Sequence, residues 1–291
     1  MAYGRTIELF LVNGTADSFT TAELSNWNGK ALKIPRMEVA SCDCDDLTQP
    51  GVYFLFCKED DGSDSVYIGE AENVKERLLQ HLRDSQSEKE KYYWNTAVVF
   101  VGRDLNKAHI RYLENRFVEI ARTCKRYIVL TKNTYSHTML KDSQKAVMEE
   151  FIDNVKVLIN ALGYNVLKPI PSKPVPEKSV PETKDVDTVY LHLERTIKKV
   201  GKVEADGSQT SEGFVVFQGS QISPEDDDTI PAVVKQRRKS APIDEDGILQ
   251  EDMLFTSPSY TAMFVIGKSA NGLTSWKTAE GKTLKSLENE D

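Results

Sequence analysis

Apolar positions along this chain run in short blocks whose period switches between two residues and three to four, and each switch marks a predicted element. Residues 6–12, Thr-Ile-Glu-Leu-Phe-Leu-Val, read as a strand closed by Asn13-Gly14. A helical turn near Thr21–Asn26 and a second strand over Lys30–Ile34 complete an N-terminal β-rich segment, 1–47, too short to hold much core alone; it is expected to pack on the central part of the chain. Val52–Phe56 and Ser65–Ile68 flank the polar run Lys58–Asp64, which is the pattern of a β-hairpin. Asn73 then caps a helix to about Asp84, with Val74, Leu78 and Leu82 on one face and Leu79 beside them. Arg77 and His81, four residues apart, share another face. The charged run Ser85–Lys91 reads as a solvated loop, Trp94–Val101 as a largely buried strand, and Lys107–Lys125 as a long amphipathic helix. The inward stripe of that helix is Ile110, Leu113, Phe117, Ile120 and Cys124, and Glu114 falls at its margin.

A further helix over Val147–Leu162 ends at Gly163, as a C-terminal glycine should end it. Proline then recurs through residues 169–187 without hydrophobic period, the composition of an extended linker. The expected division is therefore a β-rich extension (1–47), a central domain (48–168), the linker, and a C-terminal domain (188–291). In the last, Val189–Leu193 and Gly213–Phe217 read as strands and Ile230–Lys239 as a helix. Ser257 and Pro258 cap and start another helix. Asn271-Gly272 reads as a tight turn leading into a strand over Leu273–Trp276. The predicted class is α+β: a small mixed sheet flanked by helices, with an N-terminal β-rich extension and a second α+β domain.

Composition adds little to this picture except by exclusion. A 40% hydrophobic and 28% charged share belongs to a globular chain. Four cysteines, of which only Cys42 and Cys44 are close together, make neither a disulfide framework nor a zinc site, and reduced thiols are expected, with Cys57 and Cys124 in a core. The N-terminus lacks the regions of a signal peptide and no apolar run approaches a membrane span, so the expected location is the cytoplasm, with no membrane partner. The net charge of −8 argues against wholesale nucleic-acid binding. Between Arg103 and Arg126, however, seven Lys or Arg stand against three Asp or Glu, which allows a local basic patch, although a solvated helix face accounts for it equally.

Gly51-Val-Tyr53 on one hairpin strand, Tyr67-Ile-Gly69 on the other, Arg77 and His81 on the next helix and Glu114 on a later one together resemble the GIY-YIG nuclease family. The order of strand, turn, strand, helix, strand, helix agrees with that family as well. The resemblance implies a phosphodiester hydrolase with Glu114 as ligand of a Mg²⁺ or Mn²⁺ ion, Tyr53 as general base with Tyr67 supporting and His81 as helper or alternate, and Asn133 as the family's later Asn. Asn133 lies farther from Glu114 than in compact members. The C-terminal residues Gly213-Phe-Val-Val, Gly219-Ser220, Ser257-Pro-Ser and Ala270-Asn-Gly before Trp276 look like bacterial GIY-YIG proteins that carry an uncharacterised C-terminal domain. That implies a role in DNA transactions such as restriction or repair.

The chemistry of these side chains agrees with the implied activity. Cutting a phosphodiester needs a nucleophilic water, neutralisation of charge on the phosphoryl oxygens and help for the leaving alkoxide. Arg77 supplies a permanent forked cation, Glu114 a hard oxygen ligand, and His81 a group that ordinarily titrates near neutrality. Tyrosine takes a proton only where its surroundings favour phenolate. Gly51 and Gly69 would let backbone approach backbone or phosphate closely. Two readings remain open: a metal-dependent DNA endonuclease, which would need a homodimer or two successive nicks to cut both strands, or a catalytically silent nucleic-acid-binding or interaction module. The intact Tyr, Tyr, Arg, His and Glu set favours the first, and the acidic total charge favours the second. The basic run Lys235–Lys239, Tyr260 and Trp276 suggest a DNA-positioning module in the C-terminal domain, against an equally good reading as a solvated helix and core aromatics.

Overall fold

The computed structural model describes residues 4–59, 63–87, 92–132, 140–171, 189–198 and 200–288. The chain divides into two units, Met1–Pro169 and Ile170–Asp291. Most of the expected Pro-rich linker, like Asn133, lies outside the described residues.

The first unit is built on one seven-stranded sheet. Its strands are β1 (Ile7–Leu11), β2 (Thr20–Leu24), β3 (Gly29–Pro35), β4 (Gly51–Lys58), β5 (Asp64–Ala71), β6 (Trp94–Gly102) and β7 (Ile128–Val129). They lie in the order β1-β2-β3-β6-β4-β5-β7, antiparallel except for the β5–β7 pair. The N-terminal segment is thus one end of the same sheet, joined through the β3–β6 ladder from Gly29↔Gly102 to Pro35↔Thr96. The helical turn expected near Thr21 is instead β2. Its β-branched Thr20 and Thr21 sit between two antiparallel neighbours, and ladder pairing on both sides overrides a weak local preference.

Three helices cover the sheet: α1 (Val74–Gln86), α2 (Lys107–Cys124) and α3 (Asp142–Ala161). Central strand β4 is buried at every position from Gly51 to Cys57, which is why it reads as a continuous apolar run instead of an alternating one. Its side chains still alternate between faces. Val52, Phe54 and Phe56 pack with Ile110, Leu113 and Phe117 of α2 and Phe151 and Val155 of α3. Tyr53, Leu55 and Cys57 pack on the opposite face with Val74 and Leu78 of α1 and with Val39 and Leu47 from the N-terminal segment. Asn73 caps α1 by accepting from the Glu76 N–H (3.1 Å), and Asn106 caps α2 through the N–H groups of Ala108 and His109. Helix α2 ends at Lys125 in the left-handed conformation (φ 53°).

The second unit contains a four-stranded antiparallel sheet in the order β11-β10-β9-β8, formed by β8 (Tyr190–Ile197), β9 (Gly201–Thr210), β10 (Gly213–Val216) and β11 (Met253–Phe255). Helices α4 (Ala232–Ser240) and α5 (Pro258–Ile266) and the short turns α6 (Gly272–Ser275) and α7 (Leu284–Leu287) accompany it. The strand expected over Leu273–Trp276 is α6. Asn271 accepts from the Leu273 N–H (3.0 Å) and so starts a helical turn, and Gly272 packs so tightly on Pro258 that an added Cβ would lie 2.1 Å from its carbonyl carbon. Strand β9, polar along much of its length, carries no clear period in the sequence. The DNA-positioning reading of this unit loses two of its supports. Trp276 is fully buried and donates to Thr261 Oγ1 (2.9 Å), and Arg238 of the basic run donates to the carbonyls of Ser223, Glu225 and Phe264.

Candidate active site

The hairpin β4–β5 sets the site. Tyr53 stands opposite Gly69 in the ladder and Tyr67 opposite Leu55, so both tyrosines project from the sheet face covered by α1. The missing side chain at Gly69 is what makes room for Tyr53: a Cβ there would lie 2.4 Å from the tyrosine hydroxyl and 2.6 Å from its Cζ. Gly51 answers to a different need, because a Cβ there would meet the Phe100 carbonyl oxygen at 2.7 Å. One glycine therefore admits a functional ring, and the other admits a neighbouring backbone.

The i, i+4 spacing on α1 brings Arg77 and His81 down on the same tyrosines. Arg77 Nε donates to the Tyr53 hydroxyl (3.2 Å), and His81 Nε2 lies 2.9 Å from that same oxygen. Tyr67 stacks on Tyr92 with ring centroids 5.5 Å apart, and its ring edge meets His81 at 5.3 Å. Tyr53 is only 1% exposed and His81 is fully buried. Burial pushes the Tyr53 hydroxyl above its ordinary pKa, further than the nearby Arg77 cation pulls it down. Burial, with the charges of Arg77 and Arg36, holds His81 far below the usual imidazole range, at about 3. His81 is therefore a neutral imidazole throughout the neutral range. Because the Arg77 guanidinium always donates, the Tyr53 oxygen accepts from it. The phenol's single proton goes to Nε2 in the tautomer that carries the imidazole proton on Nδ1.

Glu114 enters from the other face of the sheet, on α2. It is 6% exposed, more deeply placed than the helix margin implied, and its Oε2 is buried with no hydrogen-bond partner among the described residues. Burial first, then the adjacent Glu70 carboxylate, pushes its pKa up to about 7 against the pull of Lys107, Arg111 and Arg77. Its charge acts in turn on Tyr53, so the groups of the two faces belong to one electrostatic site. Among the described residues the parallel pairing to β7 covers Ser65 and Val66, and beyond it Thr131 Oγ1 both accepts from the Ile68 N–H and donates to the Ile68 carbonyl (2.8 Å each).

A deeply buried carboxylate oxygen with no donor, next to a second carboxylate, fits a hard divalent cation, which would satisfy that oxygen. Glu70 and its partners did not stand out from the sequence. The Glu70 side chain, 6% exposed, pairs with Lys107 (2.9 Å) and approaches Arg111 (3.8 Å). Lys107, Arg111 and Glu114 are spaced four and three apart on α2, a signal that was legible in the pattern of charges. In the second unit His192, Glu194 and Glu204 also cluster at metal-ligand distances, but Lys202 bridges both carboxylates and already supplies their cation.

With this geometry in view, comparison with known families gives two matches. The model of the GIY-YIG catalytic domain matches residues 49–127, which span the hairpin, α1, β6 and α2. That domain is of the GIY-YIG nuclease superfamily. Residues 196–288 match DUF4357, a domain of unknown function, so the chain carries a GIY-YIG domain and, towards its C-terminus, an uncharacterised one. No curated protein and no solved structure matches the chain. No described helix is long and apolar enough to cross a membrane.

Proposed function

We propose that the protein is a metal-dependent DNA endonuclease acting in restriction, repair or a related DNA transaction, with Tyr53, Tyr67, Arg77, His81 and Glu114 as its working residues. The observation that carries this reading is the electrostatic coupling of two groups: a tyrosine hydroxyl held between Arg77 and a neutral His81, and a buried carboxylate oxygen with no donor among the described residues. A binding module has no use for the second. Gly51 and Gly69 serve the packing that holds the tyrosines, and the stretch 169–187 is read as a tether between the catalytic and C-terminal domains.

Mg²⁺ or Mn²⁺ held by Glu114 would neutralise charge growing on the phosphoryl oxygens. The chain's own residues do the rest. Arg77, half-buried beside the tyrosines, presents the rest of its guanidinium to the phosphate while its Nε keeps the Tyr53 oxygen in place. A water at the Tyr53 hydroxyl passes its proton to the phenol oxygen as the phenol passes its own to His81 Nε2; the leaving alkoxide takes a proton from solvent, and His81 loses the transferred proton to return to the neutral form it holds at rest. Neither group then has to exist beforehand in a charged form that burial disfavours. Tyr67, stacked against Tyr92 and edge-on to His81, fixes the imidazole plane.

The test is incubation of the purified protein with supercoiled plasmid and with branched and single-stranded DNA, in Mg²⁺, Mn²⁺ or EDTA, beside Arg77→Ala. Metal-dependent cutting that the variant loses is the expected result, and nicked against linear product gives the number of strands cut. DNA retained on a gel without cutting in any metal would replace the proposal with a binding module.

A further inference from the structure

Arg36 is a charged residue that neither the matched domain nor the proposed chemistry accounts for. It lies in the turn Arg36–Glu38 that follows β3, ahead of the GIY-YIG match, and only 9% of its surface is exposed. Its guanidinium carbon lies over the rings of Tyr93 (4.3 Å to the centroid) and Trp94 (4.6 Å). Among the described residues Nη1, which is buried, has no acceptor and no carboxylate pairs with the group. The acid of its own turn, Glu38, is engaged elsewhere, accepting from Ser18 Oγ (2.8 Å) and the Phe19 N–H (3.1 Å).

A buried cation without an anion is costly, and native structures nearly always supply a partner. The two rings offset part of that cost by cation–π attraction, but they leave Nη1 without an acceptor. Its N–H edge, the part that forks to a phosphate, stays unused. Arg36 also lies close enough to His81 to act on its charge together with Arg77, so two guanidiniums border the same imidazole. Trp94 is fully buried, whereas Tyr93 is 59% exposed and is the ring with room to lift away.

We propose that Arg36 is an anion seat that holds a backbone phosphate of the substrate strand next to the one being cut, with Tyr93 as its movable cover. This rests on the nuclease reading, and it means that residues ahead of the catalytic domain complete the substrate-binding surface. The strand would run from the Arg77 phosphate past the Tyr67–Tyr92 stack to Arg36, and a displaced Tyr93 ring is placed to stack on an unpaired base.

The experiment is fluorescence anisotropy of labelled single-stranded DNA with the full chain carrying Glu114→Gln, in EDTA, over a series of salt concentrations. Arg36→Gln should weaken binding about tenfold and reduce the slope of log affinity on log salt by about 0.7, the share of one phosphate contact on a single strand. Arg36→Lys should keep the slope. Tyr93→Glu alters an exposed side chain, carries little folding risk, and puts a carboxylate in competition with the phosphate; it should weaken binding as much as Arg36→Gln. Unchanged affinity and slope in Tyr93→Glu, or in a folded Arg36→Gln, would overturn the seat. If Arg77→Ala in the same background loses affinity while those variants do not, only the Arg36 inference falls. If no variant differs, the nuclease reading falls with it.

Discussion

Gly69→Ala is the sharpest perturbation of the site, because it adds a single methyl group and replaces no functional side chain. The new Cβ would stand 2.4 Å from the Tyr53 hydroxyl, 2.6 Å from its Cζ and 3.0 Å from Tyr67 Cε1. An ordinary carbon contact needs about 3.5 Å, so the hydroxyl must retreat by roughly 1 Å. Tyr53 is 1% exposed and packed among Leu55, Val99 and Leu78, so the ring has no open space to take up that shift. Overpacking of this kind costs about 1–3 kcal/mol. For a unit of the size of Met1–Pro169, that lowers the melting temperature by about 2–12 °C. The same shift stretches the 2.9 Å contact to His81 Nε2 and the 3.2 Å contact from Arg77 beyond hydrogen-bonding range, and a misplacement of about 1 Å costs on the order of 10²-fold in rate. Single-turnover cleavage at saturating enzyme isolates that step from binding. Gly51→Ala is the control: its Cβ strains the Phe100 carbonyl contact and should lower the melting temperature similarly, while the folded fraction cuts at the normal rate. A Gly69→Ala protein that cuts as fast as the parent would show that the Tyr53 hydroxyl is not the group that matters.

Three further outcomes are expected. Glu114→Gln should abolish cleavage yet raise the melting temperature in EDTA above pH 7. The carboxyl's folded pKa of about 7 lies above its ordinary 4.5, so the stability it contributes is complete below pH 4.5 and lost as pH rises through 7; an unchanged melting curve at pH 8 would contradict the burial argument. His81 shows the opposite sign. With a folded pKa of about 3 against 6.5 unfolded, its contribution is complete above pH 6.5 and lost as pH falls toward 3, so His81→Gln should flatten the acid side of the stability profile, and the cleavage profile of the parent should show no step near pH 6.5. In the second unit Trp276→Ala should cost about 3–5 kcal/mol by leaving a cavity and removing the indole donor to Thr261 Oγ1, as chemical denaturation would show.

Much of this molecule was fixed by local sequence. The hairpin, the Asn73 and Ser257 caps, the Arg77–His81 pair and the apolar stripe of α2 follow from periods of two and of three to four, because those patterns depend on neighbours a few residues away. Tyr53, Tyr67, Arg77, His81 and Glu114 were singled out by their resemblance to the GIY-YIG pattern, and the local periods placed each on its strand or helix. Tertiary structure decided the features that depend on distant partners. Thr20–Leu24 became a strand because β1 and β3 flank it, and the Asn271 turn became helical because Gly272 seats on Pro258. Glu114 passed from helix margin to buried carboxylate only when α2 docked on β5 beside Glu70, and His81 lost its neutral-range titration only when two guanidiniums and the sheet enclosed it. Burial and electrostatic coupling arise from atoms far apart in the chain, and no local period records them. Arg36 is the extreme case, an unremarkable arginine in the sequence that packing turned into a buried cation against two rings, with no acid paired to it among the described residues.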